Sequence, residues 1–366
     1  MEVKDVFELQ KRKRVRFIWV LTFLVLVSSF IALCVGAVMI PPQKVLASIG
    51  HTILPSLISS PSHVTDIIVM KINIPRVLLA LLTGCTLGIA GCIMQSTLRN
   101  PLVSPFTLGV SSAASFGAAA TIMIGPMILG AAYYASFTLG NFSIQVQHIT
   151  MVLFAFLFGM LSITLVLFMG RTRNQSKSIL ILAGVVIGYI FQAGITAMKY
   201  LSDDATLREI TVWLMGGMWG ASWKCIFVLL PIVLVTTYYF IKLSPKFDAV
   251  SGGDEVAKTL GVDVKKLRVN SLVIVTLTTS ACIAFTGVIG FIGLMAPHLT
   301  RMIIGNKQQY LIPGSALMGA FILVVSDMVS RLIIAPAEMP VGILMYVIGG
   351  VFFIYMITNR RRRAMV

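Results

Sequence analysis

The chain has 366 residues, of which 57% are hydrophobic and only 11% charged, with a formal net charge of +16. An ordinary soluble domain carries roughly 25% charged residues, so a water-soluble surface is excluded and lipid must be the solvent over most of the length. The positive charge does not indicate nucleic acid, because the basic residues cluster between apolar runs, as in the cytoplasmic loops of a membrane protein.

The first such cluster, Lys11 to Arg14 with Arg16, lies in a basic segment, residues 1–16. It precedes an apolar run, Phe17–Ile40, that is long enough to span a bilayer and lacks a small-residue cleavage site, so it reads as a first crossing and not a signal peptide. A polar stretch follows, and Asn73-Ile74-Pro75-Arg76 opens a second crossing at Pro75–Gln95. Proline suits the first turn of a helix, and Arg76 is expected at the outer interface, where it can reach water.

Arg99-Asn100-Pro101 marks a turn on the inner side, and a run of Gly, Ser and Ala from Leu108 opens the third crossing, Thr107–Ile124. Small residues let helix backbones approach closely, yet the same pattern can line a pathway, so both readings stand. Crossings at Ile149–Gly170 and Ser178–Lys199 flank a basic loop with Arg171, Arg173 and Lys177, and a sixth runs over Lys224–Leu243.

The soluble loop 244–268 follows. Gly252-Gly253 breaks the chain, Asp254 and Glu255 suit a helix first turn, Val256, Ala257 and Leu260 supply an apolar stripe, and Gly261 stops the helix. A short amphipathic helix lying beside the membrane is predicted, either as a solvated linker or as a docking element for a cytoplasmic partner. Beyond it come Val269–Phe285, then Gly290–Ile304, interrupted by Gly287, Gly290, Gly293 and Pro297. Tyr310–Leu332 carries Asp327 and Arg331 four residues apart, able to pair on one helix face. Pro340–Thr358 leads to the basic tail 359–366.

Ten crossings with both termini in the cytoplasm leave Lys44, Lys71, Arg76, Lys199, Arg208, Lys224 and Arg331 outside, so 29 − 7 = 22 Lys and Arg residues lie inside. That asymmetry favours ten crossings over nine. The reading is an all-α membrane protein with one bundle domain over residues 17–358. Cys34, Cys85, Cys92, Cys225 and Cys282 show no metal-ligand spacing, His298 has no companion ligand, and the 20 methionines are scattered, so no metal site is expected. No nucleophile–base pair appears either, and no catalytic residue is assigned. Nor is there a Gly-x-x-x-x-Gly-Lys-Ser/Thr phosphate loop; if ATP drives this protein, another polypeptide binds it.

In order, Ile74-Pro75-Arg76-Val77-Leu78-Leu79-Ala80, the Gln95–Leu102 turn, Leu108-Gly109-Val110-Ser111-Ser112, the Gly253–Gly261 loop helix, the Gly287–Arg301 stretch and Glu338-x-Pro340-Val341-Gly342-Ile343 resemble the permease family of type II ABC importers for iron-siderophores, haem and cobalamin. The similarity runs from about Lys71 to Arg361. It implies a prokaryotic plasma-membrane protein with ten transmembrane helices. It also implies a second permease subunit (a copy or a paralogue), two cytoplasmic ATPase subunits that hold ATP and Mg, and an extracytoplasmic substrate-binding protein.

On that resemblance Gly253, Asp254, Glu255, Ala257, Leu260 and Gly261 form the coupling helix. Arg76 and Arg331 dock acidic residues of the binding protein. Many relatives have a second Arg where this chain has Asn73, and Lys71 is the substitute. Leu108, Gly109, Val110, Ser111, Ser112 and Ser115 are the expected pathway lining, and a ferric siderophore is the first-choice cargo, ahead of haem and cobalamin. The rival from another class is an ion-coupled secondary transporter, for which Asp327 is the sole intramembrane carboxylate candidate.

Overall fold

The first apolar run forms helix α1, Val3–Cys34, which takes in the basic segment as well, so residue 16 is no structural boundary. Arg14 explains the continuity: its Nε donates to the Ile304 carbonyl at 3.0 Å, placing a cation on the C-terminal end of a neighbouring helix. The computed structural model describes residues 3–36, 38–57, 59–139, 142–171 and 177–363. Most of the basic loop 171–177, with Arg173, and the last residues of the tail lie outside the described residues.

The polar stretch after the first crossing is largely helical: α2 is Pro42–Ile53 and α3 is His63–Ile67, which passes through a π-helical turn, Ile68–Asn73, into α4, Ile74–Leu98. The second crossing therefore starts upstream of Pro75, at the Ser62 cap, whose hydroxyl accepts from the Thr65 amide at 3.2 Å. The wider π turn has a local cause, since Pro75 lacks an N–H and its ring collides with the carbonyl four residues back.

Helix α5 is Val110–Leu129, followed by a 3₁₀ turn, Gly130–Tyr134, and an antiparallel hairpin of β1, Ser136–Leu139, and β2, Phe142–Gln145. Then come α6, Val146–Arg171; α7, Lys177–Leu201; α8, Asp204–Leu214; and α9, Trp223–Lys242. The inner loop holds α10, Ser244–Ser251, and α11, Asp254–Thr259. The last four are α12, Val264–Thr286; α13, Ile292–Ile304; α14, Gln308–Ile333; and α15, Val341–Arg363.

Among the described residues eight helices are long and apolar enough to cross a bilayer, and the shorter apolar helices Ile292–Ile304 and Val341–Met356 occupy the eighth and tenth expected positions. Helix α13 is short because the chain turns at Gly287–Phe291, where Phe291 takes φ 64.

At the centre stands α4, buried along almost its whole length against α14, α13, α12 and α9. Its packing depends on Gly84, Gly88 and Gly91. A β-carbon at Gly84 would lie 2.7 Å from the Ala320 Cα, and one at Gly88 would lie 2.9 Å from the Ser315 carbonyl carbon. Small residues four apart bring two membrane helices into backbone contact. By contrast α1, α6, α7 and α15 expose large apolar side chains, among them Phe23, Leu157, Tyr189 and Val347.

Candidate functional site

The short helix of the inner loop, α11, is built from the sequence outward. Gly253 takes φ 126, a conformation that side chains disfavour, and so turns the chain into α11. Asp254 and Glu255 occupy the first turn, where carboxylates complement the helix N-terminus. Ala257 is fully buried and seats the helix, leaving Val256 and Leu260 with 49% and 66% of their surface exposed. Glu255 bonds Lys258 at 2.8 Å, which raises the Lys258 ammonium above its ordinary value. At the other end Gly261 takes φ 76 and the Val262 amide returns to the Ala257 carbonyl at 2.9 Å. The amphipathic helix expected here is present, with its bounds close to those read from the sequence.

Two contacts that sequence reasoning missed tie this loop to the bundle. Arg268 of α12 donates from Nη2 to the Asp254 Oδ2 at 2.9 Å, and its side chain is only 7% exposed. Asp248 of α10 accepts the Gln308 backbone N–H at 2.8 Å, capping α14. The legible signal for the first was a basic run, Lys265, Lys266 and Arg268, of which one member faces inward.

At the outer end the expected i, i+4 pair is present, with Arg331 Nη2 at 3.2 Å from Asp327 Oδ2. Arg76 joins it from α4: its Nε and Nη2 reach Asp327 at 2.9–3.1 Å, and its Nη1 reaches Glu338 at 2.8 Å. Arg331 also donates to the Ala32 and Val35 carbonyls at the end of α1. Two guanidinium groups thus meet two carboxylates, and exposure falls to 6% for Arg76 and 2% for Arg331. Each is turned inward, because a fixed guanidinium in an apolar bundle needs a counter-ion more than it needs water. Lys71 remains exposed on the π turn.

Leu108, Gly109, Val110, Ser111 and Ser115 are buried within the chain, and only Ser112 is half-exposed. A β-carbon at Gly109 would stand 2.6 Å from the Gly184 carbonyl of α7, so the small-residue run serves close helix packing. A cleft of about 1060 Å³ opens at the inner end of the bundle, lined by Gln95, Arg99, His298, Arg301, Gln308 and Tyr355 among others. His298 stacks edge-on to Phe352 there, with ring centroids 5.9 Å apart.

The fold is that of a multi-pass helical bundle, with a pinned, partly apolar helix at its inner face. The chain belongs to the FecCD transport family, which it matches over residues 24–359. It is 33% identical to the Fe(3+)-citrate import system permease protein YfmE of Bacillus subtilis, over 97% of this chain and 98% of that one. It is 36% identical to the hemin transport system permease protein HmuU of Yersinia pestis, over 80% of this chain and 84% of that one. With the vitamin B12 import system permease protein BtuC of Salmonella arizonae it shares 32% identity, over 96% and 97%. Its fold matches a solved inward-facing transporter assigned to the metal-chelate ABC type, with a TM-score of 0.77, 27% identity, and 94% and 99% of the two chains covered. It is therefore a multi-pass protein of the prokaryotic plasma membrane and a permease of the type II ABC importer class.

Proposed function

We propose that the chain is the translocating subunit of an ATP-driven importer for an iron chelate, a ferric siderophore before haem or cobalamin. It works with a second permease subunit, two ATPase subunits that bind ATP and Mg, and an extracytoplasmic binding protein, and performs no bond chemistry itself. The carrying observation is α11, whose Val256 and Leu260 are exposed on the cytoplasmic face while its base is fixed by Ala257 and Asp254. Exposed apolar side chains on an otherwise charged loop fit a groove in a soluble partner. The cargo class rests on relatives that import ferric citrate, haemin and vitamin B12, all metal-centred chelates. Lys71 is the exposed cation for docking an acidic binding protein, with Arg76 and Arg331 shaping the surface beneath it.

An ion-driven carrier fits less well. Its coupling carboxylate must load and release a cation, whereas Asp327 is held by two arginines. The test replaces the exposed stripe: Leu260→Asp with Val256→Asp lowers chelate uptake by at least about tenfold and weakens association with the ATPase subunits, while the protein still inserts. Undiminished uptake would remove the ATPase-docking reading. For the cargo, fluorescence quenching of the companion binding protein by ferric siderophore, haem or cobalamin decides among the three.

A further inference from the structure

We infer that Arg268 is a positioning residue that makes the coupling helix α11 and the membrane helix α12 move as one body, while Asp248 holds the same loop to α14. The inference rests on the reading of α11 as the ATPase-docking element.

Without the Arg268–Asp254 bond, α11 is held to α12 by the buried Ala257 near its C-terminal end and by the stretch from Leu260 to Asp263, which contains Gly261 at φ 76 with open space around it. A load applied to the exposed edge of α11 would swing the helix about that joint. The bond bridges residues 14 apart and closes the swinging end, since Asp254 is the first residue of α11 and Arg268 lies one turn into α12. Lys265 and Lys266 are exposed to water and Arg268 is buried. A buried guanidinium holds its partner far more firmly than a solvated ammonium, because leaving it unpaired strands a desolvated charge.

The second attachment is of another kind. Asp248 accepts the Gln308 amide, one of the donors a helix N-terminus leaves unsatisfied, and adds a negative charge there. The loop therefore grips two membrane helices. Helix α12 packs on α4, α5, α6 and α9, and α14 packs on α4, α1 and α13. A displacement of α11 is delivered to both groups together.

The test uses the assembled transporter, with ATPase subunits and binding protein, in proteoliposomes. Chelate uptake and ATP hydrolysis are measured on the same vesicles. With Arg268→Gln, chelate imported per ATP hydrolysed falls about tenfold while hydrolysis continues. Arg268→Lys, which keeps a bridge to Asp254, recovers most of that ratio. Should Arg268→Gln fail to accumulate, Asp254→Ala removes the same bond from its more exposed side and takes its place. A loss confined to the amount of assembled complex, with the ratio unchanged, would mean a purely structural role and overturn the inference. The parent reading fails separately: if Leu260→Asp leaves ATPase association intact, α11 is not the docking element. If Leu260→Asp abolishes association while Arg268→Gln leaves the ratio unchanged, only the positioning role is lost.

Discussion

Asp327 is 1% exposed and accepts from two arginines on different turns and different helices. Removing its charge leaves Arg76 with Glu338 alone and Arg331 with backbone carbonyls. Breaking one side of a buried ion pair typically costs about 3–5 kcal/mol, more than the intact pair contributes. Asp327→Asn is therefore expected to destabilise the bundle by about that amount, seen as a marked fall in the unfolding temperature in detergent. Glu338→Gln has a milder effect, since that side chain is 25% exposed and water can replace it. An Asp327→Asn protein as stable as the parent would show that the cluster does not hold the outer ends together. Asp203 gives a pH counterpart outside the membrane. It caps α8 by accepting the Thr206 amide at 2.8 Å, and those bonds lower its carboxyl below the usual range. A depressed carboxyl contributes stability above its unfolded value and loses it as pH falls through the folded value. The protection of the Thr206 amide against hydrogen exchange, taken relative to its intrinsic rate at each pH, should hold through the ordinary carboxylate range and fall only below it. Asp203→Asn should flatten that dependence.

Among the helices α4 carries the tightest contacts, and its glycines are where a single added group does most harm. A Gly88→Val substitution drives a side chain into the backbone of α14 near Ser315, which neither helix can relieve without separating. Overpacking of this kind costs roughly 1–3 kcal/mol or more, so Gly88→Val should lower folded yield, whereas Gly350→Ala, with open space around it, should not. The helical character and order of the crossings were legible because apolar length is a one-dimensional signal. So was α11, bracketed by Gly253 and Gly261 with acids at its start. Other features were hidden for definite reasons. The helices α2 and α8 are short, at 12 and 11 residues, and lack the apolar length that marks a crossing, and α3 is only the start of the second one. The inward turn of Arg76 depends on Glu338, 262 residues away, and no local pattern announces a partner at that distance. The run from Leu108 to Ser115 reads as helix packing before pathway, and which helix it packs on is seen only with Gly184 and Gly188 of α7 against it.

Across the whole molecule α14 is the element that links the two faces. Its first residue is held by Asp248 of the coupling loop, and its last turn carries Arg331, bonded to α1 and Asp327. Its 26 residues make a strut of about 39 Å, enough to span the hydrocarbon core. A strut fixed at both ends by charge-assisted bonds links displacement on one face to the geometry of the other. Coupling of this kind is reciprocal in binding free energy: if nucleotide at the inner face changes affinity for the binding protein outside, docking outside changes nucleotide affinity by the same factor. The expected factor is on the order of 5- to 150-fold. It is measured as the Kd of the binding protein for the nanodisc-embedded transporter, with and without a non-hydrolysable ATP analogue, and as the Kd of the analogue with and without binding protein. Cutting the inner attachment with Asp248→Ala, which leaves the Gln308 N–H without its side-chain acceptor, should shrink both shifts equally while leaving the nucleotide-free Kd of the binding protein in place. Shifts that persist undiminished in Asp248→Ala would place the transmission in α12 alone, through Arg268, and take α14 out of the relay.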